Sequence, residues 1–144
     1  MLRPTWILLF KYNQLKMEIT TSNQIVKSVW TVLRFTFCIV PIVAGLDKFT
    51  DLLTDWDMYL HPGIASMLPF PAHTFMQIVG VIEIIAGILV FAKPAIGGWV
   101  VMVWLICIAL TLIASGKYFD VAVRDLVMSI GAMSLARLSK VVAG

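Results

Sequence analysis

Four ionisable side chains, Arg34, Glu83, Arg124 and Asp125, interrupt stretches that are otherwise apolar. On insertion scales, a charge inside such a segment costs about 2.5–3.5 kcal/mol, so these groups usually face a protein interior and find partners. Two cations and two anions suit a closed polar cluster. The chemistry open to it is proton exchange at a carboxylate and anchoring of a ligand oxygen by a guanidinium.

The rest of the chain explains why these charges stand out. Its 144 residues are 60% hydrophobic and 13% charged, against about 25% charged in soluble proteins. Mean hydropathy is +0.95. This predicts one integral membrane domain. The net charge of +3 comes from scattered Lys and Arg that form no basic face, which argues against a nucleic-acid partner. Cys38 and Cys107 are far apart, form no CxxC, and read as small buried apolar residues.

The apolar segments read as four transmembrane helices, at about 25–45, 73–91, 95–115 and 119–138. Each is near the ~20 residues that cross a ~30 Å hydrocarbon core. Continuous apolar character excludes alternating barrel strands. The fold class expected is an all-α four-helix transmembrane bundle. Residues 1–24 form an N-terminal extension, residues 25–138 the membrane domain and residues 139–144 a short tail. The polar run Thr20–Gln24 offers N-cap residues for the first span. Residues 1–16 lack a signal-peptide cleavage site, and read as an interfacial anchor or as an upstream stretch before a start at Met17.

Lys and Arg placement sets the expected orientation. Arg3, Lys11, Lys16, Lys27, Lys93, Arg137 and Lys140 fall on one side, Lys48 and Lys117 on the other. Both termini should therefore be cytoplasmic. Trp30 and Trp99 read as inner interfacial anchors, Trp56 and Tyr118 as outer ones. The connection at about 46–72 is acidic, with Asp51, Asp55 and Asp57, and reads as an interfacial flap with a short helix after Pro62-Gly63.

Helical spacing sorts the polar groups. Gly80, Glu83 and Gly87 share one stripe in the second span, and the glycines admit a close neighbouring backbone. Glu83 should thus face another helix, and Arg34, also mid-span, is its expected partner. Asp125, Ser129 and Ala132 form an inward stripe on the fourth span. Arg124 diverges from Asp125 by about 100° and can snorkel outward. Cys107, Thr111 and Ser115 repeat every four residues on the third span and should add small polar groups. Together these describe a polar pocket in the outer half of the bundle, beneath the flap. The alternative is purely structural: buried ion pairs that hold helices in register. His61 and His73, the only histidines, both belong to the connection, so haem ligation within the spans is not expected. The sequence shows no metal-ligand spacing and no catalytic triad.

Arg34, Ala44-Gly-Leu-Asp-Lys-Phe49, Leu68-Pro69 with Phe75-Met76, Gly80-Val-Ile-Glu83-Ile-Ile-Ala-Gly87 and Arg124-Asp125-Leu126 resemble, in order and spacing, the DoxX-like membrane proteins. The resemblance covers about residues 27–138. It implies a four-helix protein of the bacterial inner membrane, with Arg34, Lys48, Glu83 and Asp125 as characteristic polar positions. It also implies service to a quinone-dependent oxidoreductase complex. The chain would be a subunit without its own redox centre, taking a quinone as its possible cofactor, with an oxidoreductase subunit or a second copy as partner. Two further readings stand beside this one: a structural or assembly protein whose charges lock the bundle, and a small-molecule transporter or exporter acting as an oligomer.

Overall fold

The computed structural model describes residues 5–143. Helix α1 spans Thr5–Asp47, a 3₁₀ turn Trp56–Tyr59, α2 Pro62–Ala65, α3 Ala72–Ala92, α4 Pro94–Ser115 and α5 Phe119–Ala143. Among the described residues no strand occurs. By length and composition, α1, α3 and α4 are each able to cross a membrane. The fourth long helix, α5, carries Arg124, Asp125, Arg137 and Lys140 and is less apolar.

The helix boundaries follow local chemistry. Pro62 and Pro94 each open a helix, where a missing N–H costs nothing. The His61 ring caps α2 by accepting from the Gly63 amide through Nδ1. The short helix expected after Pro62-Gly63 is a single turn that begins at Pro62 and includes both residues. Gly116 ends α4 at φ 69°, the left-handed position that glycine fills without strain.

Helix α1 departs from the expected start at Thr20–Gln24, because those residues lie inside it. The Thr20 and Thr21 hydroxyls donate to the carbonyls of Lys16 and Met17, one turn back, instead of capping a helix. At 1.5 Å per residue, the 43 residues span about 65 Å, twice a hydrocarbon core. Trp6 to Ile25 are exposed throughout, so the first half of α1 runs beyond the packed region. Arg3 lies outside the described residues.

Glycines set the contact between α1 and α3. A Cβ on Gly45 would lie 2.5 Å from the Gly80 carbonyl oxygen, and one on Gly80 2.6 Å from that of Gly45. Lower down, a Cβ on Gly87 would meet the Cys38 carbonyl at 2.7 Å. The expected interface stripe of α3 thus faces α1, at backbone-contact distance. Gly98 of α4 meets α5 in the same way, against the Ala132 carbonyl and Ala136. One apolar core joins α1, α3, α4 and α5 through Phe37, Cys38, Ala86, Val90, Val101, Ala132 and Leu135. A smaller one, Ala109, Leu112 and Ala122, sits near the connection with Tyr59 and Tyr118 packed on it. The opposite faces expose Ile78, Ile85 and Ile88 on α3 and Val123, Val127 and Ile130 on α5.

Candidate ligand-binding site

The register of α1 on α3 decides which charges meet. Gly45 lies against Gly80 and Cys38 against Gly87, so Arg34 falls level with Phe91. Arg34 therefore does not pair with Glu83. Its Nη2 donates to the Phe91 carbonyl, and its guanidinium carbon lies 5.1 Å from the Trp30 ring centroid and 5.0 Å from that of Phe91. The last carbonyls of a helix lack intrahelical donors, and Arg34 supplies one to α3. Eight residues separate Phe91 from Glu83, about 12 Å along a helix. Matching both groups as mid-span failed because the helices are staggered: the end of α1 at Gly45 lies level with Gly80, about two turns inside α3.

Lys48 takes the place expected for Arg34. Its Nζ donates to Glu83 Oε2 at 2.6 Å, with side-chain exposures of 3% and 11%. Lys48 lies at the end of α1, beyond Gly45, and its flexible stem reaches Glu83 past the Gly45–Gly80 contact. The same ammonium lies 3.5 Å from the centroid of the Trp56 ring. A desolvated cation over an indole face gains about 2 kcal/mol.

Asp47 holds that indole in place. Its carboxylate accepts from the Leu52 and Leu53 amides at 3.0–3.1 Å, the Thr50 hydroxyl at 3.2 Å and Trp56 Nε1 at 2.8 Å. Asp47 is 5% exposed. In the sequence Asp47 stands out only as a member of the Ala44–Phe49 motif. The signal available was an Asp followed by Thr50 and Asp51, residue types that favour local turns; Asp51 indeed sits at φ 49°. Trp56, read as a plain interfacial anchor, instead covers the buried lysine. Its ring packs at a tilt on Tyr59, 6.0 Å between centroids, and Tyr59 meets Tyr118 at 4.8 Å.

Below this loop lies a cavity of about 760 Å³. That is within the ~300–1,000 Å³ usual for small-molecule sites. Lys48, Glu83, Arg124, Asp125 and Thr111 line it, with Trp56 and Tyr59 from the connection and Trp104 from α4. The rest of its wall is largely apolar and includes Phe37, Met76, Val79, Val101, Leu105 and Met128. Pro41 also lines it, and as an interior helix proline leaves the Phe37 carbonyl without its usual donor.

The α5 stripe is oriented as its spacing predicts: Asp125 and Ser129 are each 5% exposed and Ala132 is fully buried. Ser129, however, spends its hydroxyl on the Leu126 carbonyl and stands outside the cavity. Arg124 is exposed yet turns its Nε to Asp125 Oδ1 at 3.4 Å. Thr111 likewise donates to its own helix, at the Cys107 carbonyl. Cys38 is buried as expected, whereas Cys107 is exposed and borders the cavity. Gly80 and Gly87 serve the helix contact and do not line the space.

The cavity therefore gathers Lys48, Glu83, Asp125, Arg124 and Thr111 from the sequence-predicted set, and leaves Arg34 at the other end of α3. Among the described residues no group of three or more His, Cys, Asp or Glu could hold a metal. His73 faces Asp51 and Asp57 at 3.7–3.8 Å and Gln77 at 3.1 Å, on the exposed side of the connection. Comparison with family models, curated proteins and solved structures finds no match for this chain.

Proposed function

We propose that this chain is a ligand-binding subunit of a bacterial inner-membrane, quinone-linked oxidoreductase complex, and that the cavity takes a quinone headgroup. The observation that carries the reading is the cavity itself: a largely apolar space of about 760 Å³ with the Lys48–Glu83 pair and Asp125 in its wall. A ring with a few polar oxygens and an apolar tail matches such a wall. Glu83 and Asp125 are the proton-exchanging groups, and Lys48 holds Glu83 in the position first expected of Arg34. The redox assignment rests on the resemblance of the motifs around Lys48, Glu83 and Asp125, and the redox centre belongs to a partner subunit.

In this reading α5 is a fourth membrane crossing, with Val123, Val127 and Ile130 towards lipid and Asp125 inward. The turn at Lys93 and the segment around Ser139 lie at the end of the molecule opposite the long connection. The Lys and Arg bias puts that end in the cytoplasm.

The test is titration of the purified chain in lipid nanodiscs with 2-methyl-1,4-naphthoquinone, following tryptophan fluorescence. Saturable quenching that weakens in Glu83→Gln supports the reading. Quenching that rises linearly without saturation sinks it.

A structural role is the second reading. The Lys48–Glu83 pair lies beside the Gly45–Gly80 backbone contact, where it would clamp α1 to α3. Under that reading Glu83→Gln lowers the amount of folded protein and leaves ligand binding per folded molecule unchanged.

A further inference from the structure

One donor in the cavity wall has no acceptor. Trp104 projects from the middle of α4, and its Nε1–H is buried without a hydrogen-bond partner. Leaving such a donor unmade costs about 1–3 kcal/mol, and indole N–H groups normally find a partner when buried. The indole N–H is directed towards the Glu83 carboxylate, whose Oε2 is taken by Lys48, but closes no hydrogen bond with it. The surrounding wall from Val101, Leu105 and Met128 offers no acceptor side chain. The charged groups bordering the space are thus held in pairs, Lys48 with Glu83 and Arg124 with Asp125, while the buried Trp104 donor is left without a partner.

We infer that Trp104 donates its indole N–H to a carbonyl oxygen of the molecule that occupies the cavity. The inference rests on the reading of the cavity as a ligand site and specifies the ligand class: a largely apolar molecule carrying a hydrogen-bond-accepting carbonyl. An anion is disfavoured, because the two cations that line the cavity, Lys48 and Arg124, are already held by Glu83 and Asp125. Pure hydrocarbon is disfavoured as well, because it would leave the N–H unmade.

The experiment compares 2-methyl-1,4-naphthoquinone with 2-methylnaphthalene, which has the same fused rings and no carbonyl. Binding of each is measured to the wild-type chain and to Trp104→Phe in nanodiscs by displacement of a fluorescent apolar probe. In parallel, the indole ¹H–¹⁵N signal of Trp104, assigned with the variant, is followed. The expected result is about fivefold tighter binding of the quinone than of the hydrocarbon by the wild type, lost in Trp104→Phe. The Trp104 signal moves downfield with the quinone and stays in place with the hydrocarbon.

Equal affinity of the wild type for both molecules overturns the donor role and leaves the cavity a ligand site. Displacement by neither overturns the ligand-site reading itself. A signal that shifts on Glu83→Gln alone and ignores the quinone assigns the N–H to Glu83 and overturns the inference. Where Trp104→Phe fails to fold, the wild-type affinity ratio still decides, since it needs no variant.

Discussion

The Lys48 ammonium lies 2.6 Å from Glu83 and 3.5 Å from the centre of the Trp56 ring, so one buried cation joins α1, α3 and the long connection. Neither partner is tolerable alone at this depth. Removing one member of a buried pair typically costs about 3–5 kcal/mol, while replacing both with apolar groups is often neutral. Lys48→Met and Glu83→Leu should each lower the unfolding temperature in detergent sharply, and the double variant should recover most of the loss. A double variant as unstable as the sum of the singles would show that the pair is not coupled.

The contact between Gly45 and Gly80 is made by backbone on both sides, so it has no flexible atom to yield. Gly80→Ala sets a methyl 2.6 Å from the Gly45 carbonyl oxygen. It should cost about 1–3 kcal/mol, as overpacking does, and lengthen the Lys48–Glu83 contact by pushing α3 from α1. Gly63→Ala, whose new methyl would meet only the His61 ring, is the comparison. Equal unfolding temperatures for the two variants would contradict the close approach.

Asp47 should govern the connection without touching the cavity. In Asp47→Ala the Leu52 and Leu53 amides and the Trp56 indole lose their acceptor. Hydrogen exchange read by mass spectrometry should then accelerate across residues 50–59 while α4 keeps its protection. Trp56→Phe keeps a ring over Lys48 but not the indole bond to Asp47, and should produce a smaller acceleration of the same segment.

Arg34 is expected to act on stability alone. Arg34→Ala removes the donor to Phe91 and the contacts with two rings, a loss of about 1.5–3 kcal/mol for a charged hydrogen bond. Naphthoquinone affinity should be unchanged, because Arg34 does not border the cavity. A clear drop in affinity would return Arg34 to the site.

Accessibility of single cysteines tests the fourth crossing. With Cys38 and Cys107 replaced by Ala, Ser66→Cys should react with an impermeant maleimide added outside the sealed membrane. Cysteines at Lys93 and Lys140 should react only after the membrane is opened. Labelling of Ser66→Cys and Lys140→Cys from the same side would remove α5 as a span.

The sequence by itself determined the membrane character, the positions of the three later long helices and the inward faces of two helices. Those properties are local: composition sets the solvent, and the 3.6-residue period places Gly80, Glu83 and Gly87, or Asp125, Ser129 and Ala132, on one stripe. It also indicated a short helix near Pro62-Gly63, although the helix begins at Pro62 itself. Only the tertiary structure decided that Glu83 meets Lys48 and that Arg34 caps α3. Antiparallel register is a relation between two helices, set here by which glycines touch, and a shift of two turns exchanges one cation for another without changing either helix. The same holds for Asp47, Trp56 and Trp104. Their types invite hydrogen bonds, but which donor finds an acceptor, and which is left facing the cavity, depends on how the connection folds over the helices.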